Sequence, residues 1–160
     1  MQLLVLLLLL VAPYLVLTLA GRWSSSLNIA PAARARVGLT LFFVFTGLGH
    51  FIRTEGMVEM VPPSIPYRVE LIYLTGVLEL LGAVGVWVPR LMRLTGLCLI
   101  LMLIGILPAN IYSAVHRVDF GGHGAGPTYL LVRVPFQLFV IWWTYFATEQ
   151  KLFQPRLKEA

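Results

Sequence analysis

Residues 3–20 carry no charged side chain, and the first charged side chain in the chain is Arg22. A helix needs about 20 mostly apolar residues to cross a bilayer. Charges then cut the remaining sequence into four more runs of similar size. Residues 37–52 lie between Arg36 and Arg53. Residues 71–89 are interrupted only by Glu79. Residues 94–115 lie between Arg93 and His116, and residues 128–148 contain only Arg133. The pattern predicts five transmembrane segments with short loops, an all-α, polytopic membrane helical bundle. The second run has 16 uncharged residues, about 24 Å as a helix, which Arg36 and Arg53 can extend by snorkelling. Composition excludes the alternatives: 59% of the 160 residues are hydrophobic and 12% charged, against roughly 45–50% and about 25% in a soluble domain. A soluble enzyme and a disordered chain both fail on those numbers.

The first run reads as a retained span rather than a cleaved signal peptide. No Lys or Arg precedes it, and Thr18, Leu19 and Ala20 make a weak cleavage site. Pro13 is expected to kink that helix. Residues 53–67 read as a short interfacial helix followed by an extended stretch with prolines at 62, 63 and 66. The four glycines of residues 121–127 predict a mobile turn.

Positive residues orient the bundle. Arg22, Arg34, Arg36, Arg90, Arg93, Lys151, Arg156 and Lys158 fall on one side, and Arg53, Arg68 and Arg117 on the other. The first side is read as cytoplasmic, which puts the N-terminus outside and the C-terminus inside. Short loops with this bias fit a bacterial inner membrane. The net charge of +5 sits at span ends rather than in a patch, so the expected partner is the lipid bilayer and not nucleic acid. The organisation is a transmembrane helix and cytoplasmic linker over residues 1–36, a four-helix membrane domain over 37–148, and a cytoplasmic tail over 149–160.

Polar groups inside a bilayer cost about 2.5–3.5 kcal/mol on insertion scales and normally face the bundle interior. Here His50, Glu79, Asn110, Arg133 and Gln137 come from four different runs, in the outer half of the membrane or at its middle. Arg133 and Gln137 are four apart and share a helix face. Glu79 lies about 13 Å along its helix from Glu70. Small residues surround the set: Thr46 and Gly47 before His50, and Thr75, Gly76, Gly82 and Ala83 around Glu79. One reading pairs Glu79 with Arg133 and ties the bundle with Asn110 and Gln137. The other makes these five residues the ligand-binding set, with Glu79 a proton-relay candidate if it has no partner.

Other motifs carry less. His50, Met57, Met60, His116 and His123 fall on the outer side and are types that suit copper(I). They are spread along the chain, and Met57 and Met60 serve equally as an apolar helix face, so no metal site is assigned. The single Cys98 can form neither an internal disulfide nor a redox pair and reads as buried packing. Trp142, Trp143 and Tyr145 read as an aromatic belt. Catalytic loops, phosphate-cradling glycine loops and nucleophile–base pairs are absent.

Across residues 37–148 the chain resembles the DoxX-like family of small bacterial membrane proteins. The matching pieces are Gly47-Leu48-Gly49-His50-Phe51, Met60-Val61-Pro62-Pro63, Thr75-Gly76-Val77-Leu78-Glu79, Pro89-Arg90, Pro108-Ala109-Asn110 and Arg133-Val134-Pro135-Phe136-Gln137. The resemblance implies a four-helix DoxX-like core plus an extra N-terminal transmembrane helix. It also implies a redox neighbourhood, since some relatives are named as subunits of a thiosulfate–quinone oxidoreductase and others as partners of oxidative-stress proteins. A paired cysteine, a haem motif and a flavin motif are lacking, so the chain is at most a subunit of a membrane oxidoreductase. Three functions stand open. The first is binding of a quinone, lipid or other hydrophobic small molecule in an outward-facing polar pocket, as a redox or envelope accessory. The second is a non-catalytic interaction subunit, with a redox protein partner or as a homo-oligomer, whose polar network is purely structural. The third is transport of a small solute or proton.

Overall fold

The computed structural model describes residues 2–23 and 29–148. Six α-helices occur there, α1 (Gln2–Trp23), α2 (Pro31–Ile52), α3 (Thr54–Glu59), α4 (Arg68–Gly85), α5 (Met92–Val115) and α6 (Leu130–Thr148), with no strand among the described residues. Four of them, α1, α2, α5 and α6 with the turn that precedes it, are long and apolar enough to cross a membrane. This is a multi-pass membrane protein. The remaining long helix, α4, is 18 residues and carries Arg68, Glu70 and Glu79.

α2 starts six residues before the expected boundary. Pro31 stands at its first position, where a preset φ favours helix and a missing N–H costs nothing. Ala32, Ala33 and Ala35 then propagate it. Arg34 and Arg36 thereby become helical. Arg34 Nη1 donates to Thr18 Oγ1 at 3.0 Å, which ties the ends of α1 and α2. The Arg36 guanidinium lies 5.3 Å from the centre of the Trp87 ring.

α2 is the hub of the bundle. It packs against α1, α4 and α6, and α5 closes the far side against α4 and α6. The core joins Leu10 of α1, Leu39, Phe42 and Phe43 of α2, and Val140, Trp143 and Ala147 of α6. α1 reaches α2 at Gly38, where an added Cβ would stand 2.0 Å from the Leu10 carbonyl oxygen. Pro13 sits inside α1 without ending it.

Three expectations change, and the turn expected at residues 121–127 is present. Trp143 is core, not belt. Its indole donates to the Ala35 carbonyl at 3.1 Å, and its ring meets Tyr14 edge-on at 5.5 Å. Trp142 and Tyr145 stay exposed. Cys98 is exposed rather than buried, because it falls on the outer face of α5. The prolines after α3 make a turn, not an extended stretch: the Ile65 N–H donates to the Pro62 carbonyl at 3.0 Å. Pro63 then occupies the second turn position, which its fixed φ suits. Residues 121–127 form successive hydrogen-bonded turns with positive φ at Gly121, Gly122 and Gly126. The Tyr129 hydroxyl pins them by donating to the Gly121 carbonyl at 2.7 Å.

The two ends differ in charge. Arg34, Arg36, Trp87 and Met92 gather at one end, close to Arg90 and Arg93 in the chain. α3 and residues 121–127 are at the other, where Gly56 abuts Phe120 and Gln2 approaches Gly121. Ser24–Ser26 and the basic tail residues Lys151, Arg156 and Lys158 lie outside the described residues.

Candidate functional site

Close helix crossings bring the polar residues together. An added Cβ on Gly76 would stand 2.7 Å from His50 Cβ and 3.1 Å from the Gly47 carbonyl oxygen. Small residues at that crossing let α2 and α4 approach, which carries His50 onto Glu79. His50 Nε2 lies 3.5 Å from Glu79 Oε1, an ion pair when the imidazole is protonated, and both side chains are buried. Glu79 therefore meets His50 and not the Arg133 that charge pairing alone predicts. Glu79 Oε2 and His50 Nδ1 are buried with no hydrogen-bond partner among the described residues.

The second half of the set joins α5 to α6. Asn110 is fully buried, and its Nδ2 donates to Gln137 Oε1 at 3.0 Å. Arg133 Nε and Nη2 donate to Asn110 Oδ1 at 3.4 and 3.3 Å. Gln137 Nε2 donates to the Leu103 carbonyl, a backbone acceptor of α5 one turn before Pro108. Ser113 Oγ donates to the Asn110 carbonyl at 3.0 Å.

Both halves face one cavity of about 510 Å³, and all five expected residues line it. That volume lies in the usual range for small-molecule sites, roughly 300–1,000 Å³. The rest of the lining is mainly apolar, including Phe42, Ile72, Met102, Leu103, Phe136 and Val140. A mostly apolar chamber with a few convergent polar groups is the ordinary form of such a site. Arg133 supplies donors, Glu79 an acceptor, and Asn110 and Gln137 both. Thr46 and Thr75, one turn before His50 and Glu79, line it as well.

Met57, Met60, Val61, Pro62 and Ile65 border the same cavity from the segment between α2 and α4. Sequence reading placed Met57 and Met60 on a helix face but gave no signal that the face meets His50. Arg68 Nη1 donates to the Val61 carbonyl at 3.4 Å, and Tyr67 takes a left-handed backbone (φ 55°) just ahead of α4. These fix the turn over the cavity.

The other histidines stand apart. His116 stacks on Tyr112 with ring centres 4.0 Å apart. His123 is buried, and its Nδ1 pairs with the Phe120 carbonyl at 2.9 Å. Burial lowers the His123 pKa, the neighbouring Arg133 charge lowers it further, and the Phe120 carbonyl acts in the opposite direction.

A family model described as a domain of unknown function (DUF8561) matches residues 39–148, which span all five site residues. No curated protein and no solved structure matches the chain.

Proposed function

We propose, for a chain that belongs to the DUF8561 family, that the bundle binds a hydrophobic small molecule with a polar head. The head sits among His50, Glu79, Asn110, Arg133 and Gln137. One observation carries the reading: polar residues from four helices converge on a single, mainly apolar cavity. Two of them hold buried polar atoms without partners among the described residues. Such atoms cost about 1–3 kcal/mol each, and a ligand head that hydrogen-bonds them removes the cost. A quinone fits this donor and acceptor set, as does a lipid headgroup, and the DoxX-like resemblance supports a quinone and an accessory role in membrane redox or envelope processes. The same proposal takes α4 as a fifth span. It places the protein in a bacterial inner membrane with the cavity towards the outside, because the arginine-rich end of the bundle reads as cytoplasmic.

The alternative is an interaction subunit with a redox partner or a second copy. The hydrogen-bond chain from Arg133 through Asn110 to Gln137 favours it, since that chain ties α5 to α6 with no ligand. Mass spectrometry of small molecules that co-purify with the wild type, Glu79→Gln and Arg133→Ala separates the two. Binding predicts a defined quinone or lipid in the wild type, lost from folded variants. Identical bulk lipid in all three samples overturns it and leaves the interaction subunit.

A further inference from the structure

A second cavity of about 220 Å³ lies along the α4–α5 seam, lined by Leu78, Leu81, Gly82, Leu91, Leu94, Thr95, Cys98, Leu99 and Met102. Leu78 and Met102 line the first cavity as well. The two spaces are therefore neighbours across two flexible side chains, and Met adapts its shape readily. Below that junction α4 and α5 touch closely, with an added Cβ on Gly82 only 2.5 Å from Leu99 Cδ2. The seam stands open to lipid: Leu78, Leu81, Leu91 and Leu94 are exposed, and so is Cys98.

We infer that the ligand is a long-chain amphiphile whose hydrocarbon tail leaves the polar cavity past Leu78 and Met102 and lies in the α4–α5 seam. This rests on the binding reading above. Continuity with the polar cavity identifies the occupant. The seam adds only one hydroxyl, from Thr95, and one thiol, from Cys98, to an otherwise hydrocarbon wall, so it takes a chain and not a second head. An apolar cavity of 150 Å³ holds a benzene ring, so this one holds several methylenes. Asn110 and Cys98 are about 18 Å apart along α5 at 1.5 Å per residue, which sets the reach of the tail. The ligand enters sideways from the bilayer. Lipid is already as apolar as a leucine face, so the seam contributes direction of entry and selection for chain shape rather than bulk hydrophobic affinity.

Position, not affinity, is therefore the quantity to read. The probe is a benzoquinone bearing a long alkyl chain, made with a photoreactive diazirine either beside the ring or at the chain end. It is cross-linked to the full chain in lipid nanodiscs and mapped by peptide mass spectrometry. The ring label is expected on α2, α5 and α6 around the polar set, and the chain-end label on α5 near Thr95 and Cys98. Leu81→Trp, at a lipid-exposed position that lines the seam and not the polar cavity, is expected to keep the ring label and lose the chain-end label from α5. Ring labelling in the polar cavity with the chain end elsewhere, for example under the Met57–Met60 segment or on α1, overturns the seam inference and leaves the binding reading. Labelling of neither site overturns both.

Discussion

His123 has about 2% of its surface exposed and lies in the loop between α5 and α6, outside the spanning segments. Its lowered pKa means that the fold favours the neutral ring. Stability from this residue is then complete above the ordinary histidine value of about 6.5. It is lost as pH falls through that value towards the lower folded one, because the unfolded chain takes up a proton that the folded chain resists. Thermal unfolding in detergent between neutral and mildly acid pH is expected to show a falling midpoint that flattens in His123→Gln. A parallel decline in both proteins sinks the idea. The residue scale is also where one of the two readings left open by the sequence gives way. Glu79 and Arg133 are the obvious opposite charges, yet Glu79 meets His50 and Arg133 meets Asn110. Pairing depends on which helix lies beside which, and no spacing within one segment carries that information.

Helix packing explains that order. α2 is buried along Ala35, Gly38, Leu39, Phe42, Phe43, Gly47 and His50, so its small residues face two partners, with Gly38 towards α1 and Gly47 towards α4. Without a hydrophobic drive between helices in lipid, close backbone contact is what holds them. Gly38→Ala puts a methyl against the Leu10 backbone, which has no side-chain freedom to yield. It is expected to cost about 1–3 kcal/mol as an overpacking substitution and to loosen α1. Gly105→Ala is the control, since an added Cβ there meets nothing within 4 Å. Unfolding of both variants in detergent, with limited proteolysis between α1 and α2, checks this, and equal stability of the two overturns it. The existence of the helices was legible because charges mark their ends. Their starts were not: α2 extends back to Pro31 because Arg34 and Arg36 find partners in Thr18, Trp87 and Met92, so a charge does not end the helix there. Trp143 was misplaced for a related reason. Its place near a span end resembles a belt, but the Ala35 carbonyl across the core satisfies its indole.

At the scale of the whole molecule, the fold sorts two kinds of polar group. Among the described residues, arginines not used in the cavity stand at or near the helix ends, and the five inward polar residues stand on the cavity wall. The convergence of those five was legible in outline, because each is an expensive guest in an apolar segment. The cover formed by Met57, Met60 and Val61 was not, since apolar residues after a span carry no comparable signal. The proposed orientation rests on the charge sorting. Arg34, Arg36, Arg90 and Arg93 belong to the same end, opposite the turn at Pro62–Ile65, and positive residues are retained on the cytoplasmic side. A Cys98→Ser background supplies a chain without cysteine, as Cys98 is the single one. On that background, Ser64→Cys is expected to react with a membrane-impermeant maleimide in intact cells, and Arg90→Cys only after the membrane is permeabilised. The opposite pattern inverts the bundle and turns the cavity, with its methionine cover, towards the cytoplasm. Access to a ligand supplied from outside the cell would then be lost, whereas entry of a tail sideways through the α4–α5 seam is indifferent to that choice. The labelling result therefore decides which compartment the cavity faces, and it does so without depending on what the cavity binds.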